Sequence, residues 1–378
     1  MTAPVSNFES PAPRRWRIAH SEFSTGWGGQ ERRIIAELAG FQRRGHQVWL
    51  LAPTQSEIFK RARSAGIPAV DFQAGKFYFP LEIIRFARWL RRNQIQVLNT
   101  HSSRDGWLFG IAGRLAHVPF IVRTRHFDVP IANRWLSRFV FGRLADHILT
   151  TSPKVTEHLK DYFQLPGDRV STLATGVDTK YFSPAGEIAK LVPATPGKTP
   201  PLIGMVSIIR QAKGHATLME AARILKDGGL AAHYIIVGEG PSRAPVEEKI
   251  RELQLDDCVT FAGQRDDIPA VLRALDVLVM PSLHEGIPQV VLQALATRTP
   301  VVGSDAGGIP EIIRPGETGR IFPAGDASAL AAAIQQTLRE AEMTKKMADA
   351  GRKLVESNHS LEKMLDDLES IYRRHLPT

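Results

Sequence analysis

From residue 16 onward, short apolar runs alternate with stretches whose apolar positions recur every three to four residues. WRIAHSEF (16–23), HQVWLLAP (46–53), QIQVLNTH (94–101), PFIVRTRH (119–126) and ADHILTTS (145–152) read as strands. Between the first two, ERRIIAELAGFQRRG places Ile34, Ile35, Leu38 and Phe41 on one helical face. A helix is also predicted from about Trp135 to Leu144. Runs that are apolar throughout, separated by helical periods, predict parallel strands covered on both faces. The alternation stops in the Pro-containing stretch 183–200 and restarts at PLIGMVSI (201–208). It continues through 232–240, 258–263, 276–282, 299–305 and 319–325, and ends in an amphipathic helix, 360–376, with no strand after it. The fold class expected is α/β, with two doubly wound Rossmann-like domains facing across a cleft. The division expected is a flexible tail over 1–15, a first domain over 16–182, a linker over 183–200, a second domain over 201–355 and a terminal helical segment over 356–378.

Such sheets bind ligands at the carboxyl ends of their strands, against helix N-termini. In the first domain those ends carry Gly28 and Gly29, then His101, Arg104 and Asp105, then His126. In the second they carry Arg210 and Lys213, Gly238 and Gly240, Glu285, and Gly307 with Gly308. Two cations beside free backbone N–H groups suit a diphosphate, although Arg210 and Lys213 read equally well as an exposed basic loop. Gly307 and Gly308 fit either close approach to a ligand or a plain turn. The stretch HEGIPQVVLQALA (284–296) says more. Pro288 is expected at the first position of a helix that is apolar on nearly every side, yet Gln289 and Gln293 lie one turn apart behind Glu285. Buried amides need partners, so this stripe points to a polar ligand in the cleft.

Composition narrows the chemistry. The 378 residues carry a net charge of +9, and residues 1–190 hold 27 Lys/Arg against 15 Asp/Glu. A basic first half predicts an anionic partner: nucleic acid, an acidic membrane face or a phosphorylated acceptor. Arg85, Arg88, Arg91 and Arg92 recur beside Phe86 and Trp89, and Arg134, Arg138 and Arg143 beside Trp135 and Phe139. These read either as helices lying on a lipid interface or as core aromatics with solvated cations. One cysteine excludes a disulfide framework. No apolar run reaches the roughly 20 residues of a membrane span, and the polar first residues do not read as a signal peptide. No Walker loop, Gly-x-Ser-x-Gly elbow, Asp-x-Asp pair or His/Cys metal spacing occurs. Arg243 stands where a dinucleotide fingerprint has its third glycine, which argues against NAD.

The turn GGQE, RRGHQV ending at Val48, ATGVDTKYFSP (174–184), RQAKGH (210–215), VGEGPSR (237–243), PSLHEGIPQVVLQALATRTPVV (281–302) and GGIPEII (307–313) together resemble glycosyltransferase family 4. These are the retaining nucleotide-sugar transferases of GT-B fold. The resemblance runs from about residue 17 to the C-terminus. It implies that Arg210 and Lys213 bind the donor diphosphate and that Glu285 holds donor-sugar hydroxyls. Backbone N–H groups of Ile287, Pro288, Gln289 and Val290 would hold sugar and phosphate, and His126 would face the reacting sugar. Gly238 and Gly240 would lie by the nucleoside. Gly28, Gly29, His101, Arg104 and Asp105 would line the acceptor side, and the last helix would cross back to the first domain. The family usually has a second glutamate eight positions after the first; here Gln293 stands there. The resemblance further implies transfer with retention from a nucleotide diphosphate sugar to a glycan or lipid-linked acceptor, in lipopolysaccharide or exopolysaccharide assembly. No cofactor, no metal and no nucleic acid are expected, and the place expected is the cytoplasm or the inner face of the plasma membrane. An epimerase or sugar phosphorylase on the same fold, or a non-catalytic nucleotide-sugar- or glycan-binding subunit, are the alternatives.

Overall fold

The computed structural model describes residues 15–72, 79–126, 134–192 and 200–376. Most of the tail 1–15, part of the stretch 183–200 and the Arg134 side chain fall outside the described residues. The first sheet is built from β1 (Arg17–Ser21), β2 (Gln47–Leu51), β3 (Ala69–Val70), β4 (Val97–Thr100), β5 (Phe120–Arg125), β6 (His147–Thr150) and β7 (Val170–Thr172). It is parallel throughout, in the order β3-β2-β1-β4-β5-β6-β7. The second contains β8 (Leu202–Val206), β9 (His233–Val237), β10 (Val259–Gly263), β11 (Val277–Met280), β12 (Val301–Ser304) and β13 (Arg320–Phe322). Its order is β10-β9-β8-β11-β12-β13, again parallel. The central strands β4 and β11 are buried at every position, as expected for strands covered on both faces.

In both sheets the chain order reverses beside the first strand: β1 neighbours β2 and β4, and β8 neighbours β9 and β11. Helices leaving such a pair pack on opposite faces, so a crevice opens at the carboxyl ends of β1/β4 and of β8/β11. β3 and β7 have no counterpart in the strand pattern of the sequence, being two and three residues long. The helix predicted over 135–144 is an α-helix, Arg134–Phe139, continued by a π turn, Val140–Leu144.

The last helix, Leu361–His375, packs on the first sheet's side of the molecule. Leu361, Met364, Leu365, Leu368, Ile371, Tyr372 and Leu376 share a core with Trp16, Ile34, Leu38 and Phe41. Each such side chain contributes about 1.5–3 kcal/mol by leaving water, whereas an exposed ion pair contributes about 0–1. Apolar burial therefore anchors this helix, and the ion pairs of Arg44 with Glu362, Asp366 and Glu369 fix its register. The chain crosses between the two units twice, side by side: Val177 N–H donates to His359 O at 2.8 Å and Leu361 N–H to Val177 O at 2.9 Å. Arg352, on the helix Ala341–Asn358, clasps the crossing by donating to the carbonyls of Phe182, Ala296 and Thr179. The described part of 183–192 lies on the second unit, with Leu191 in its core and Ala189 N–H bonded to Ala270 O.

Candidate active site

The two loops at the β8/β11 reversal are locked together by their backbones. After β8, a short 3₁₀ turn, Gln211–Lys213, ends at Gly214, whose φ of +75° no L side chain adopts cheaply. A Cβ at Gly214 would lie 1.9 Å from Pro281 O, so only glycine lets this turn meet the loop after β11. Leu283 N–H then donates to Ala212 O at 2.8 Å. Gly307, after β12, repeats the device with φ +57°; its Cβ would lie 1.9 Å from Glu285 O. Gly308 N–H donates to Gly286 O at 3.2 Å. Gly238 and Gly240 lie against the backbone of Ser207 and Ile209 in the same way. The glycines first serve loop-on-loop packing.

That packing holds the charged side chains in place. Lys213 Nζ is 2.5 Å from Glu285 Oε2, which also accepts from Ser282 Oγ at 3.1 Å. The side chains keep 20% and 10% of their surface, so the pair is shielded yet reachable from the crevice. Arg210 is exposed beside it, and its guanidinium has no ion-pair partner among the described residues. A shielded Lys–Glu pair next to an uncommitted arginine can receive an anionic group and a hydroxyl-bearing group side by side.

The helix behind Glu285 runs Gln289–Ala296, with Pro288 just before its first turn rather than in it. Pro288 has no N–H to give, which corrects its assignment as a donor. Ile287, Gln289 and Val290 carry N–H groups with no backbone acceptor among the described residues. The glutamine stripe divides. Gln289 Nε2 donates to Gly29 O at 2.8 Å and so joins the two units. Gln293 is half-buried, and its amide has no hydrogen-bond partner among the described residues.

Across the crevice, Gly28 caps the helix Gly29–Arg43, and Glu31 Oε2 accepts from Gly28 N–H at 2.8 Å. Arg104 is exposed and stacks its guanidinium over Phe23. Asp105 and His101 do not line an open acceptor surface. Asp105 is 0% exposed and accepts from Ser21 Oγ, His101 N–H, Ser102 N–H and Ser102 Oγ. Those bonds fill a carboxylate's acceptor sites and make Asp105 the brace of the β4 loop. His101 is buried between His20 and His126, with ring nitrogens 3.1 and 2.9 Å apart. His126 is buried too, and its carbonyl lies 3.6 Å from where a Cβ on Gly286 would sit. It therefore stands at the junction of the two units, against the Glu285 loop. Burial takes the three imidazoles below their usual range, His20 to about 3.

Two residues of this region went unnoticed in the sequence. Glu22 accepts from Ser24 N–H at 2.7 Å and from Gln30 Nε2. Burial, reinforced by the Asp105 charge, pushes its carboxyl up to about 8. His20, buried within β1, is the other. The signal was present: His20, Ser21 and Glu22 are polar residues in a run expected to be covered on both faces. Among the described residues, no group of three His, Cys, Asp or Glu side chains converges as metal ligands would.

Two parallel sheets whose reversal points open on one crevice, bridged by Gln289, define an α/β protein of GT-B fold. Residues 27–181 match Glycosyltransferase Family 4 and residues 191–354 match Glycosyl transferases group 1. The chain belongs to glycosyltransferase family 4. It is 30% identical to the lipopolysaccharide core biosynthesis glycosyltransferase LpsE of Rhizobium meliloti over 64% of this chain and 68% of that one. It is 29% identical to the putative glycosyltransferase EpsF of Bacillus subtilis over 60% of this chain, a match that spans 62% of that protein's length. The fold is shared with the Anabaena protein HepE, solved in complex with UDP and glucose, at a TM-score of 0.79 and 17% identity over 94% of this chain and 99% of that one.

Proposed function

We propose that the protein transfers a sugar from a nucleotide diphosphate sugar to an acceptor hydroxyl, with retention at the anomeric carbon. The observation that carries this reading is the shielded Lys213–Glu285 pair beside the uncommitted Arg210, at the reversal point of the second sheet. Arg210, Lys213 and the N–H groups of Gln289 and Val290 would stabilise charge growing on the departing diphosphate. Glu285 would hold sugar hydroxyls, Gln293 the ribose, and His126 would face the reacting sugar. The acceptor oxygen bonds to the anomeric carbon as the carbon–phosphate-oxygen bond breaks. The acceptor proton passes to the leaving phosphate, giving a glycoside and a nucleoside diphosphate. The acidic groups favour front-face attack over double displacement as the route to retention: Glu285 is paired with Lys213, and Asp105 is sealed, so neither stands free as a glycosidase-type nucleophile. Closure of the units would exclude the water that otherwise hydrolyses the donor.

HepE's complex supports UDP-sugars as the first donors to try, and LpsE's role supports a lipopolysaccharide or exopolysaccharide intermediate, glycan or lipid-linked, as acceptor. Among the described residues, no helix is long and apolar enough to cross a membrane. Attachment to the inner face of the plasma membrane is proposed through the first unit's exposed Leu81, Ile84, Trp135 and Phe139 among arginines. The test is incubation of purified protein with a panel of nucleotide sugars and lipid-linked oligosaccharide, with and without EDTA. Nucleoside diphosphate should be released and the new anomeric centre should match the donor's by proton NMR, at the same rate with EDTA. An inverted product, an epimerised donor or a sugar phosphate would overturn the reading, and EDTA-dependent loss restored by Mn²⁺ would overturn its metal-independence.

A further inference from the structure

Between β1 and the helix Gly29–Arg43 the chain has no regular structure, yet side chains tie down its alternate N–H groups. Glu22 Oε1 accepts from Ser24 N–H at 2.7 Å, Ser24 Oγ from Gly26 N–H at 3.1 Å, and Glu31 Oε2 from Gly28 N–H at 2.8 Å. Glu22 is the inner tie. It is 0% exposed, and its own N–H donates to Leu51 O at 3.0 Å, carrying the pairing of β1 with β2 one residue further. Its second oxygen pairs with the side-chain amide of Gln30, in the first turn of the helix. One buried side chain therefore joins the strand end, the loop and the helix start. Two contacts with the second unit leave from this segment, 22–30. Gly29 O accepts from Gln289 Nε2 at 2.8 Å. Trp27 has the guanidinium carbons of Arg61 and Arg32 at 4.6 and 5.1 Å from its ring centroid. Arg61 Nε is held by Glu57 at 2.9 Å, and its Nη1 reaches Asp266 Oδ1, in the second unit, at 3.0 Å. An exposed ion pair by itself contributes little, but a guanidinium already oriented by Glu57 and the indole loses less freedom in meeting Asp266.

We infer that Glu22 is a positioning residue: it shapes segment 22–30 into the lip that meets the second unit, placing Gly29 for Gln289 and Trp27 for Arg61. The charged groups facing it are Asp105 from the helix Ser103–Ala116, Glu31 from the helix Gly29–Arg43 and Arg123 from β5. Burial, and after it the Asp105 charge, pushes the Glu22 carboxyl up to about 8, so it carries its proton in neutral solution. A protonated oxygen donates to Gln30 once that amide is turned over, and the other oxygen still accepts from Ser24. Loss of the proton puts a buried charge beside Asp105 and Glu31 with Arg123 alone opposing it. The lip therefore loosens as pH rises through about 8. The consequence for transfer rests on the proposed place of the donor between the units; the shape of the lip does not.

The test compares the full-length wild type with Glu22→Gln, whose amide copies the neutral carboxyl with one acceptor for Ser24 and a donor for Gln30. With 5-fluorotryptophan in place of tryptophan and the signal of Trp27 assigned through Trp27→Phe, that fluorine resonance should shift with a midpoint at about pH 8 in the wild type and stay in place in Glu22→Gln. Small-angle X-ray scattering should show the wild type expanding between pH 7 and pH 9.5, and the variant not. A Trp27 signal or a scattering curve that does not change with pH, or that changes alike in both proteins, would overturn the inference. In transfer assays at pH 7, Glu22→Ala should raise donor KM by about fivefold or more, because fewer molecules hold the units in the competent arrangement, and Glu22→Gln should not. If the spectra and scattering hold while Glu22→Ala keeps the donor KM of the wild type, the placing of the donor between the units falls and the lip stands.

Discussion

Lys213 and Glu285 lie 72 positions apart in the chain, and neither residue alone is more than a surface charge. Their ion pair joins two loops at the reversal point of the second sheet, where the proposed function would place the diphosphate and the sugar. Arg210→Ala should lower transfer by a barrier of about 2–4 kcal/mol, as loss of an oxyanion donor does, with the melting temperature unchanged because the side chain is exposed. Lys213→Ala should lose as much rate and also stability, since it strands Glu285 in a shielded place. Turnover near wild type in both variants, measured as nucleoside diphosphate release, would sink the diphosphate assignment. Gln293 offers a separate reading. Its amide is half-buried and unpartnered among the described residues, while its neighbour Gln289 is spent on Gly29. Gln293→Glu should change donor affinity within about tenfold, or about 1.4 kcal/mol, because stronger charge-assisted bonds offset desolvation and repulsion from Glu285. Gln293→Leu should weaken it more, leaving ribose hydroxyls unpaired. Equal donor affinity in the Leu variant and wild type, by calorimetric titration, would remove Gln293 from the donor site.

At the scale of elements, the helices Phe79–Arg92 and Arg134–Phe139 separate the two meanings of an arginine-and-aromatic pattern. Phe86 is wholly buried and Trp89 packs edge-on against Trp49, so these aromatics are core. The face left to solvent instead presents Leu81 (65% exposed) and Ile84, with Arg88 and Arg92; on the shorter helix Trp135 is 71% exposed. Apolar groups ringed by cations suit an interface of anionic lipid, where each cation contributes about 1 kcal/mol. Sedimentation with anionic vesicles should show binding that weakens with salt, and Arg88→Gln with Arg92→Gln should together cost about thirtyfold. Equal pelleting with neutral vesicles would refute the surface. The periodicity of the Phe79–Arg92 helix was legible in the sequence; which of its two apolar sets faced inward was not, because that depends on the neighbouring helix Ser103–Ala116.

For the whole molecule, two sets of buried groups oppose each other in pH. His20, His147 and His215 are held at about 3, 4 and 4 against an ordinary 6.5, mainly by burial. A depressed histidine is neutral in the fold and gains its proton on unfolding. Its contribution to stability is therefore full above about pH 6.5 and is lost as pH falls toward 3–4. Glu22 runs the other way: raised from 4.5 to about 8, it contributes fully below pH 4.5 and loses that contribution as pH rises through 8. The melting temperature should fall on both sides of neutrality, and Glu22→Gln should flatten the fall between about pH 6.5 and 8 while leaving the limb below pH 4.5 unchanged. An unchanged alkaline limb in that variant would refute the Glu22 assignment.

By itself the sequence determined the α/β class, the alternation of strands and helices, and the motifs at the strand ends, because these depend on residue type, periodicity and turn chemistry along a short stretch of chain. Strand order lies outside that reach. Nothing in the alternation says that β1 sits beside β4, or β8 beside β11, and those neighbours decide where the crevices open. Nor does spacing reveal that Gly214 and Gly307 admit the loop of Glu285, that Gln289 spends its amide on Gly29, or that His20 joins a row with His101 and His126. Asp105 makes the difference plain: as a polar residue at a strand end it read as part of an open surface, and folding sealed it beneath four hydrogen bonds. Chain-local patterns fix which elements form, whereas burial and partnership are set by contacts between residues far apart in the chain, which exist only once the sheets have assembled.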